Sequence, residues 1–285
     1  MIGSKPRRWF MVQKDSRKIS VGEGEEFDLA PESVHLVITS PPYWELKDYG
    51  FDDQIGFGQS PQDYMKDLKR ILIKKMARAM APGGIMCVNI GDVYSSASGM
   101  FMKWPFGSWL EREFFNSDQW VPLPSILWKK ITSTRSNAFL GSGMLPVNAY
   151  VTNDIEHILL FRKGNKREFD GEEKMRRKSS EFTKDQRDIW YSQLWDDIPG
   201  IGSRGAQQAA WPREIPYRLI RMFSIEGDVV VDPFCGSGIG PIVAAELGRC
   251  GIGFDRKDWD KDQALTGTYV PKRYLFKING RVIAL

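Results

Sequence analysis

The 285-residue sequence predicts a doubly wound α/β domain built on a mostly parallel sheet. Three observations predict it. The run Val34-His35-Leu36-Val37-Ile38-Thr39 puts apolar and β-branched residues at successive positions, as in a strand covered on both faces. That run, a helical pattern over residues 61–79 and a second apolar run over 85–90 form a strand–helix–strand unit. Residues 228–255 form another, with Gly236-Ser237-Gly238 in its first turn.

Bulk properties agree. A chain 42% hydrophobic and 27% charged carries enough apolar material for a sizeable core. No stretch approaches 18 uninterrupted apolar residues, so no transmembrane helix is expected. The N-terminus, MIGSKPRRWFMVQKDSRK, has basic residues but no apolar core, so it does not read as a secretory signal, and the expected location is cytoplasmic. Cys87, Cys235 and Cys250 form no CxxC pair, and His35 and His157 stand far apart; no metal site is expected, and the cysteines read as small buried residues. A net charge of +4 permits an anionic partner without demanding one.

Along the chain, residues 1–33 are polar and turn-rich and read as a short lead-in, with a hairpin as one form it could take. The first strand stops at Ser40-Pro41-Pro42-Tyr43. Each proline withholds a ladder donor and pins φ at about −65°, which makes a stiff turn holding a hydroxyl, a carbonyl and an aromatic ring in fixed relation. In open α/β sheets the carboxyl end of a strand is where ligands bind. The glycine- and aromatic-rich stretch WELKDYGFDDQIGFGQS follows and reads as a functional loop. Ser60 is an N-cap, with Pro61 at the first helical position and Asp63 in the first turn; Pro82-Gly83-Gly84 ends the helix. After the strand over residues 85–90 comes an aromatic, irregular region with a short helix expected over 107–115. Ile126-Leu127-Trp128 and residues 156–161 read as strands of an antiparallel hairpin at the sheet edge.

From Arg162 to Arg187 the chain holds ten basic and six acidic residues and little that is apolar. Two readings stand for it: a solvated, partly mobile insert, or a surface that contacts phosphates. Trp211-Pro212 opens a helix through Ile215, Leu219, Ile220 and Met222. Residues 228–231 are a strand, 239–247 a helix and 250–255 a strand ending in an acid; residues 274–278 could form an edge strand.

Gly236-Ser237-Gly238, between strand and helix, lets the backbone approach a ligand closely. No Gly-Lys-Ser/Thr follows, so it is not a P-loop, and the full GxGxxG pattern is absent. Asp232 stands at a strand end, where a carboxylate can meet a cationic amine. Asp255 ends the next strand, where an acid can accept from ribose hydroxyls. An amine, a ribose and no phosphates describe S-adenosylmethionine better than NAD or ATP.

TSPPYW, DPFCGSG, GIGFD and AAWPREIPYRLI, in this order, resemble the amino-methylating DNA methyltransferases of the permuted (β) class, over roughly residues 34–163 and 209–255. The pair of motifs is specific; either alone is not. The resemblance implies a Rossmann-like, mostly parallel seven-stranded sheet with one antiparallel edge strand and a small target-recognition insert. Residues 1–163 would be the catalytic half, 164–207 the target-recognition region and 208–285 the cofactor half of the same domain. It implies a catalytic motif Ser40, Pro41, Pro42 and Tyr43. The cofactor-binding set would be Thr39, Trp211, Pro212, Asp232, Pro233, Phe234, Gly236, Ser237, Gly238 and Asp255. The sequence departs from the family pattern in Ile239 for a common threonine, Gly58 where an acid is frequent, and Trp211 for a phenylalanine, which puts the fine shape of the cofactor pocket in doubt.

The chemistry so implied is methyl transfer from S-adenosylmethionine to an exocyclic amine of a base flipped out of duplex DNA. Ser40 and the Pro41 carbonyl would accept from the amine, and Tyr43 would stack on the base. Carbon-5 cytosine chemistry is disfavoured, because the chain has no Pro-Cys pair. Ser-Pro-Pro-Tyr leans the target towards the N4 amine of cytosine, with the N6 amine of adenine as the alternative. The partners implied are double-stranded DNA and a cognate restriction endonuclease; an oligomer is not required. Gln186, Arg187, Arg204 and Gln207 are candidate base readers by chemistry alone. Methylation of RNA or of a protein amide, and a catalytically silent nucleic-acid-binding module, are the competing readings.

Overall fold

A computed structural model of the chain describes residues 9–14, 19, 21, 29–96, 100–130, 145–200, 211–256, 275–278 and 281–284, the first and the last two of these segments as backbone only. A first strand, β1 (Trp9–Lys14), precedes β2 (Val34–Thr39). β1 is part of the main sheet, pairing parallel with a strand some 240 residues later; its polar surroundings hid it, and the expected lead-in or hairpin is corrected here.

After β2 comes α1 (Pro61–Leu68), whose N-cap Ser60 accepts from the Asp63 amide at 3.1 Å. The helix widens into a π-helical stretch over Lys69–Lys75 and closes with α2 (Met76–Ala79). The widening buries three consecutive residues, Ile71, Leu72 and Ile73, and the Ile73 carbonyl accepts from the Trp120 indole at 3.3 Å. Next are β3 (Met80–Ile90), a small ribbon of β4 (Val93–Ser95) and β5 (Met102–Trp104), and α3 (Phe106–Phe115). β6 (Trp120–Lys129) and β7 (Ile155–Lys163) follow, then α4 (Gly171–Ser179), α5 (Lys184–Trp190) and the two-residue β8 (Leu194–Trp195). The last part of the main sheet and its helices are α6 (Glu214–Phe223), β9 (Val229–Asp232), α7 (Ile239–Glu246) and β10 (Cys250–Asp255). β11 (Leu275–Ile278) pairs with β12 (Arg281–Ala284) in a separate ribbon, so the expected edge strand exists but does not join the main sheet.

The main sheet runs β1-β10-β9-β2-β3-β7-β6-β8. Every pairing is parallel except those of β7 with β3 and β6. The expected antiparallel hairpin is therefore present; its reversed strand, β7, lies third from the edge, with β6 and β8 outside it. Both faces are covered, as the unbroken apolar run of β2 required. Val37 packs with Val88, Phe106 and Phe161 on one face, and Leu36 and Ile38 pack with Leu219, Ile220 and Val243 on the other. No described helix is long and apolar enough to cross a membrane.

Two winding directions meet between β9 and β2. From β2 the chain passes through its helix to β3 on one side; from β9 it passes through α7 to β10 on the other. Side-by-side parallel pairing there (Leu36 with Val230, Val37 with Val231) makes this the topological switch point. The crevice outside the carboxyl ends of these strands is where such sheets take ligands.

Candidate active site

The two turns that follow β2 and β9 meet at this crevice. Thr39 and Asp232 are both buried, and the threonine hydroxyl donates to the Asp232 carboxylate at 2.7 Å. Nearly two hundred residues apart in sequence, the Ser-Pro-Pro-Tyr and glycine-rich motifs are thus joined through one hydrogen bond. The same carboxylate oxygen accepts the Phe234 amide at 3.0 Å, holding the start of the turn. Burial pushes the Asp232 carboxyl up to about 7, against the pull of the Thr39 and Phe234 hydrogen bonds and with a smaller push from Asp255. Asp232 is only 1% exposed, and its carboxylate is the joint between the two turns.

The glycine turn is open where the aspartate is closed. Gly236 is exposed, Gly236 and Gly238 have φ of 47° and 73°, and a side chain at Gly236 would meet open space. The Gly236 amide donates to the Asp255 carboxylate at 3.1 Å, tying the turn to the end of β10. Pro233 is buried, Phe234 and Ser237 are half-buried, and Trp211 is buried with Pro212 half-exposed at the entry to α6. These features fit a nucleoside-sized ligand: an open glycine turn, a strand-end acid at its lip and Phe234 at its start. Gly253 fixes the turn from beneath, since a Cβ there would lie 2.7 Å from the Cys235 sulfur and 2.9 Å from the Pro241 ring. Gly253→Ala should therefore displace the turn, weakening S-adenosylmethionine binding at least tenfold by calorimetry and lowering stability by about 1–3 kcal/mol in denaturant melts.

The Ser-Pro-Pro-Tyr turn is braced on the other side. The Pro42 carbonyl accepts from the Tyr64 hydroxyl of α1 at 2.7 Å, fixing the second proline. Trp44 is buried against Trp104 and Phe106, with ring centroids 5.1 and 5.6 Å away, and its indole donates to the Gln59 carbonyl at 2.7 Å. Gln54 and Gln59 close the following loop: Gln54 bridges the Tyr49 amide and the Lys47 carbonyl, and the Gln59 side chain takes the Gly56 amide. Arg256, just after Asp255, pairs with Asp53 at 2.5 Å and lies over the Phe51 ring. The loop after the Ser-Pro-Pro-Tyr turn is thus tied to the end of β10.

Tyr43 is half-buried, but its hydroxyl reaches a polar cluster. It donates to Glu156 Oε2 at 2.8 Å, and Ser40 Oγ and Asn89 Nδ2 lie 3.4 and 3.1 Å from its oxygen. Asn89 also donates to Glu156 at 2.6 Å, and Lys130 forms an ion pair with the other Glu156 oxygen. Burial, then the facing Glu156 carboxylate, pushes the Tyr43 phenol well above its usual range. Asn89, Lys130 and Glu156 were not among the sequence candidates. The available signal was a polar residue inside each of two otherwise apolar strand runs, Asn89 in β3 and Glu156 in β7.

The charge-dense segment lies elsewhere. β7 runs away from the crevice, so α4 follows at the opposite end of the sheet. There Arg167 binds Asp228, ahead of β9, at 2.7 and 3.0 Å, and Arg176 donates to the Glu226 carbonyl. Arg177 lies over the Phe169 ring. Gln186 closes the capping box of α5 with Thr183, and the neighbouring Tyr191 hydroxyl donates to the Met222 carbonyl at the far end of α6. Gln186 and Arg187 lie on α5, beside the far end of α6 and away from the crevice; Arg204 and Gln207 lie outside the described residues. The stretch folds into two capped helices whose side chains are mostly exposed, as a solvated insert would have them, with Arg167 and Arg176 tying it to the turn ahead of β9.

Comparison with known proteins places this geometry. The N6/N4 methyltransferase family model, described as DNA methylase, matches residues 34–265. The Type II methyltransferase M.MjaI of Methanocaldococcus jannaschii is 40% identical over 84% of this chain and 87% of its own length. M.SmaI of Serratia marcescens, also a Type II methyltransferase, is 30% identical over 84% and 86%. A DNA modification methylase homologue of Thermus thermophilus, TTHA0409, solved with S-adenosyl-L-methionine, superposes with a TM-score of 0.68 at 28% identity, covering 90% of this chain and 92% of its own. The PvuII cytosine-N4-specific DNA methyltransferase superposes at 0.61 and 19% identity over 90% and 86%, a likeness that bears on the fold alone.

Proposed function

We propose, from the premise that this chain belongs to the N6/N4 DNA methylase family, that it transfers a methyl group from S-adenosylmethionine to the N4 amine of cytosine in a specific sequence of duplex DNA. The observation that carries the reading is the Thr39–Asp232 hydrogen bond at the switch point, which sets the Ser-Pro-Pro-Tyr turn beside the glycine turn in one crevice. The kinship with Type II methyltransferases supports a place in a restriction-modification system beside a cognate endonuclease.

The cofactor supplies an electrophilic methyl group on a sulfonium. The glycine turn, Phe234, Trp211 and Pro212 would hold it, with Asp255 accepting from its ribose. An exocyclic amine is a poor nucleophile because its lone pair is delocalised into the ring. Ser40 Oγ and the Pro41 carbonyl, accepting from the amine hydrogens, favour a pyramidal nitrogen with that pair released. Tyr43 would stack on the extruded base, contributing roughly 1–3 kcal/mol. Since the step neutralises charge, positioning carries more of the rate than a strong base. Target recognition falls to the later part of segment 164–207, because β8 runs beside β6 back towards the crevice end of the sheet.

Incubation with duplex DNA and labelled cofactor, followed by nucleoside mass spectrometry, should yield N4-methylcytosine. N6-methyladenine as sole product would overturn the base assignment and leave the amino-methylation reading standing; label in RNA but not DNA would overturn both.

A further inference from the structure

The hydrogen bonds around Tyr43 have a direction. Glu156 is buried, and its Oε2 lies 2.8 Å from the Tyr43 hydroxyl. A carboxylate cannot donate, so the single phenol proton is committed to Glu156. The Tyr43 oxygen can then only accept, and it receives Asn89 Nδ2 at 3.1 Å and Ser40 Oγ at 3.4 Å. The Asn89 amide cannot be turned around, because Nδ2 must also face Glu156 at 2.6 Å; its Oδ1 is left buried and unpartnered as a result. The Tyr43 hydroxyl has therefore spent its one proton and both lone pairs inside the protein. The Ser40 proton points the same way, towards Tyr43, which leaves the serine lone pairs as acceptors for whatever enters the crevice.

We propose that Glu156 is the terminal proton acceptor of a one-way relay, Ser40 to Tyr43 to Glu156, that removes the proton released when the target amine is methylated. The inference rests on the amine-methylation reading and adds to it a destination for the proton. The amine nitrogen gives its lone pair to the incoming methyl, and the departing sulfur keeps the electron pair of the bond that breaks. The amine N–H proton passes to Ser40 Oγ, the serine proton to the Tyr43 oxygen and the tyrosine proton to Glu156 Oε2. Sulfur ends neutral, the amine ends neutral and methylated, and Glu156 ends as the acid. Ser40 and Tyr43 are regenerated with their protons shifted along by one place. Lys130, paired with Oε1 and partly open to solvent, holds the carboxylate in position.

Glu156→Gln keeps the volume and an acceptor for Tyr43 but cannot take a proton; Tyr43→Phe keeps the stacking ring and cuts the chain. Each should lower the single-turnover rate of methyl transfer to DNA about 100-fold, with the dissociation constant for S-adenosylmethionine within twofold of wild type. The double variant should be no slower than the slower single one, because both cut the same relay. Rates for E156Q within threefold of wild type, or single losses that multiply in the double variant, would overturn the relay while wild-type transfer upholds the methylation reading. A Y43F rate within threefold of wild type overturns it whatever E156Q does. Failure of the wild-type enzyme to label DNA sinks the methylation reading, and the relay falls with it.

Discussion

Asp232→Asn should make the ligand-free protein more stable at pH 8 while abolishing most of its affinity for S-adenosylmethionine. Asp232 is 1% exposed, and the interactions that set its proton affinity are burial, hydrogen bonds from Thr39 and the Phe234 amide, and the nearby Asp255 carboxylate; no cation is among them. Its pKa is raised from 3.8 to about 7. The sign follows from that direction. A carboxyl whose folded pKa lies above its unfolded value contributes stability that is fully present below pH 3.8 and is lost as pH rises through about 7. The loss across that window is roughly 4 kcal/mol. Asparagine has the same shape, and its amide oxygen can accept from both Thr39 and Phe234, but it carries no charge to bury. D232N should thus melt several degrees above wild type at pH 8 and together with it near pH 4. With cofactor the order reverses. A cationic amine at the turn favours the ionised carboxylate, so wild-type affinity should rise by up to tenfold per pH unit as the pH approaches about 7 and then level off. D232N should bind about 100-fold more weakly at pH 8, with a flat pH profile. Thermal melts at both pH values and calorimetry across the range check this. An asparagine variant that is less stable at pH 8, or that keeps the wild-type pH profile of binding, would reject the account.

The fold was legible because each half of the sheet carries its own pattern. The consecutive burial of β2 and the serine-proline start of α1 can be read without knowing what they pack against. The glycine turn between β9 and α7 is equally local. β1 was not legible, because a strand of six residues among charges owes its place to pairing with β10 and not to its own composition. The same division runs through the site. The two motifs named themselves by chemistry and spacing, and the structure sets them side by side. Asn89 and Glu156 did not, because only tertiary register brings them together: Ile90 pairs with His157 across β3 and β7, which puts Asn89 and Glu156 near the same end of that ladder. Lys130 reaches Glu156 only because β6 and β7 form a hairpin. The charged segment left two readings open for a related reason, since charge density cannot distinguish side chains reserved for phosphates from side chains that pair within the fold.

Arg167 settles that last distinction by experiment. It sits in the segment whose basic residues suggest phosphate contacts, yet its guanidinium grips Asp228 at 2.7 and 3.0 Å and Glu173 at 2.7 Å, with its side chain 16% exposed. Asp228 is 1% exposed, and it also accepts the Ile225 amide at 2.9 Å, fixing the turn that feeds β9 into the sheet. Arg167→Met removes the cation and keeps most of the aliphatic bulk, so a buried carboxylate loses its counter-charge. Breaking such a pair costs about 3–5 kcal/mol. For a chain of this size the melting temperature should fall on the order of 10 °C. A phosphate contact behaves differently. Its loss would leave stability nearly unchanged, weaken DNA binding across all sequences and reduce the slope of log affinity against log salt by about 0.9. At a temperature where R167M remains folded, the salt slope should match wild type. A variant that melts like wild type but binds DNA with a shallower slope would return the segment to the DNA surface and require the α4–α5 region to reach the duplex from the end of the sheet opposite Ser40. The geometry argues against that, because β7 carries the chain away from the crevice before Arg167 and the return begins only at β8.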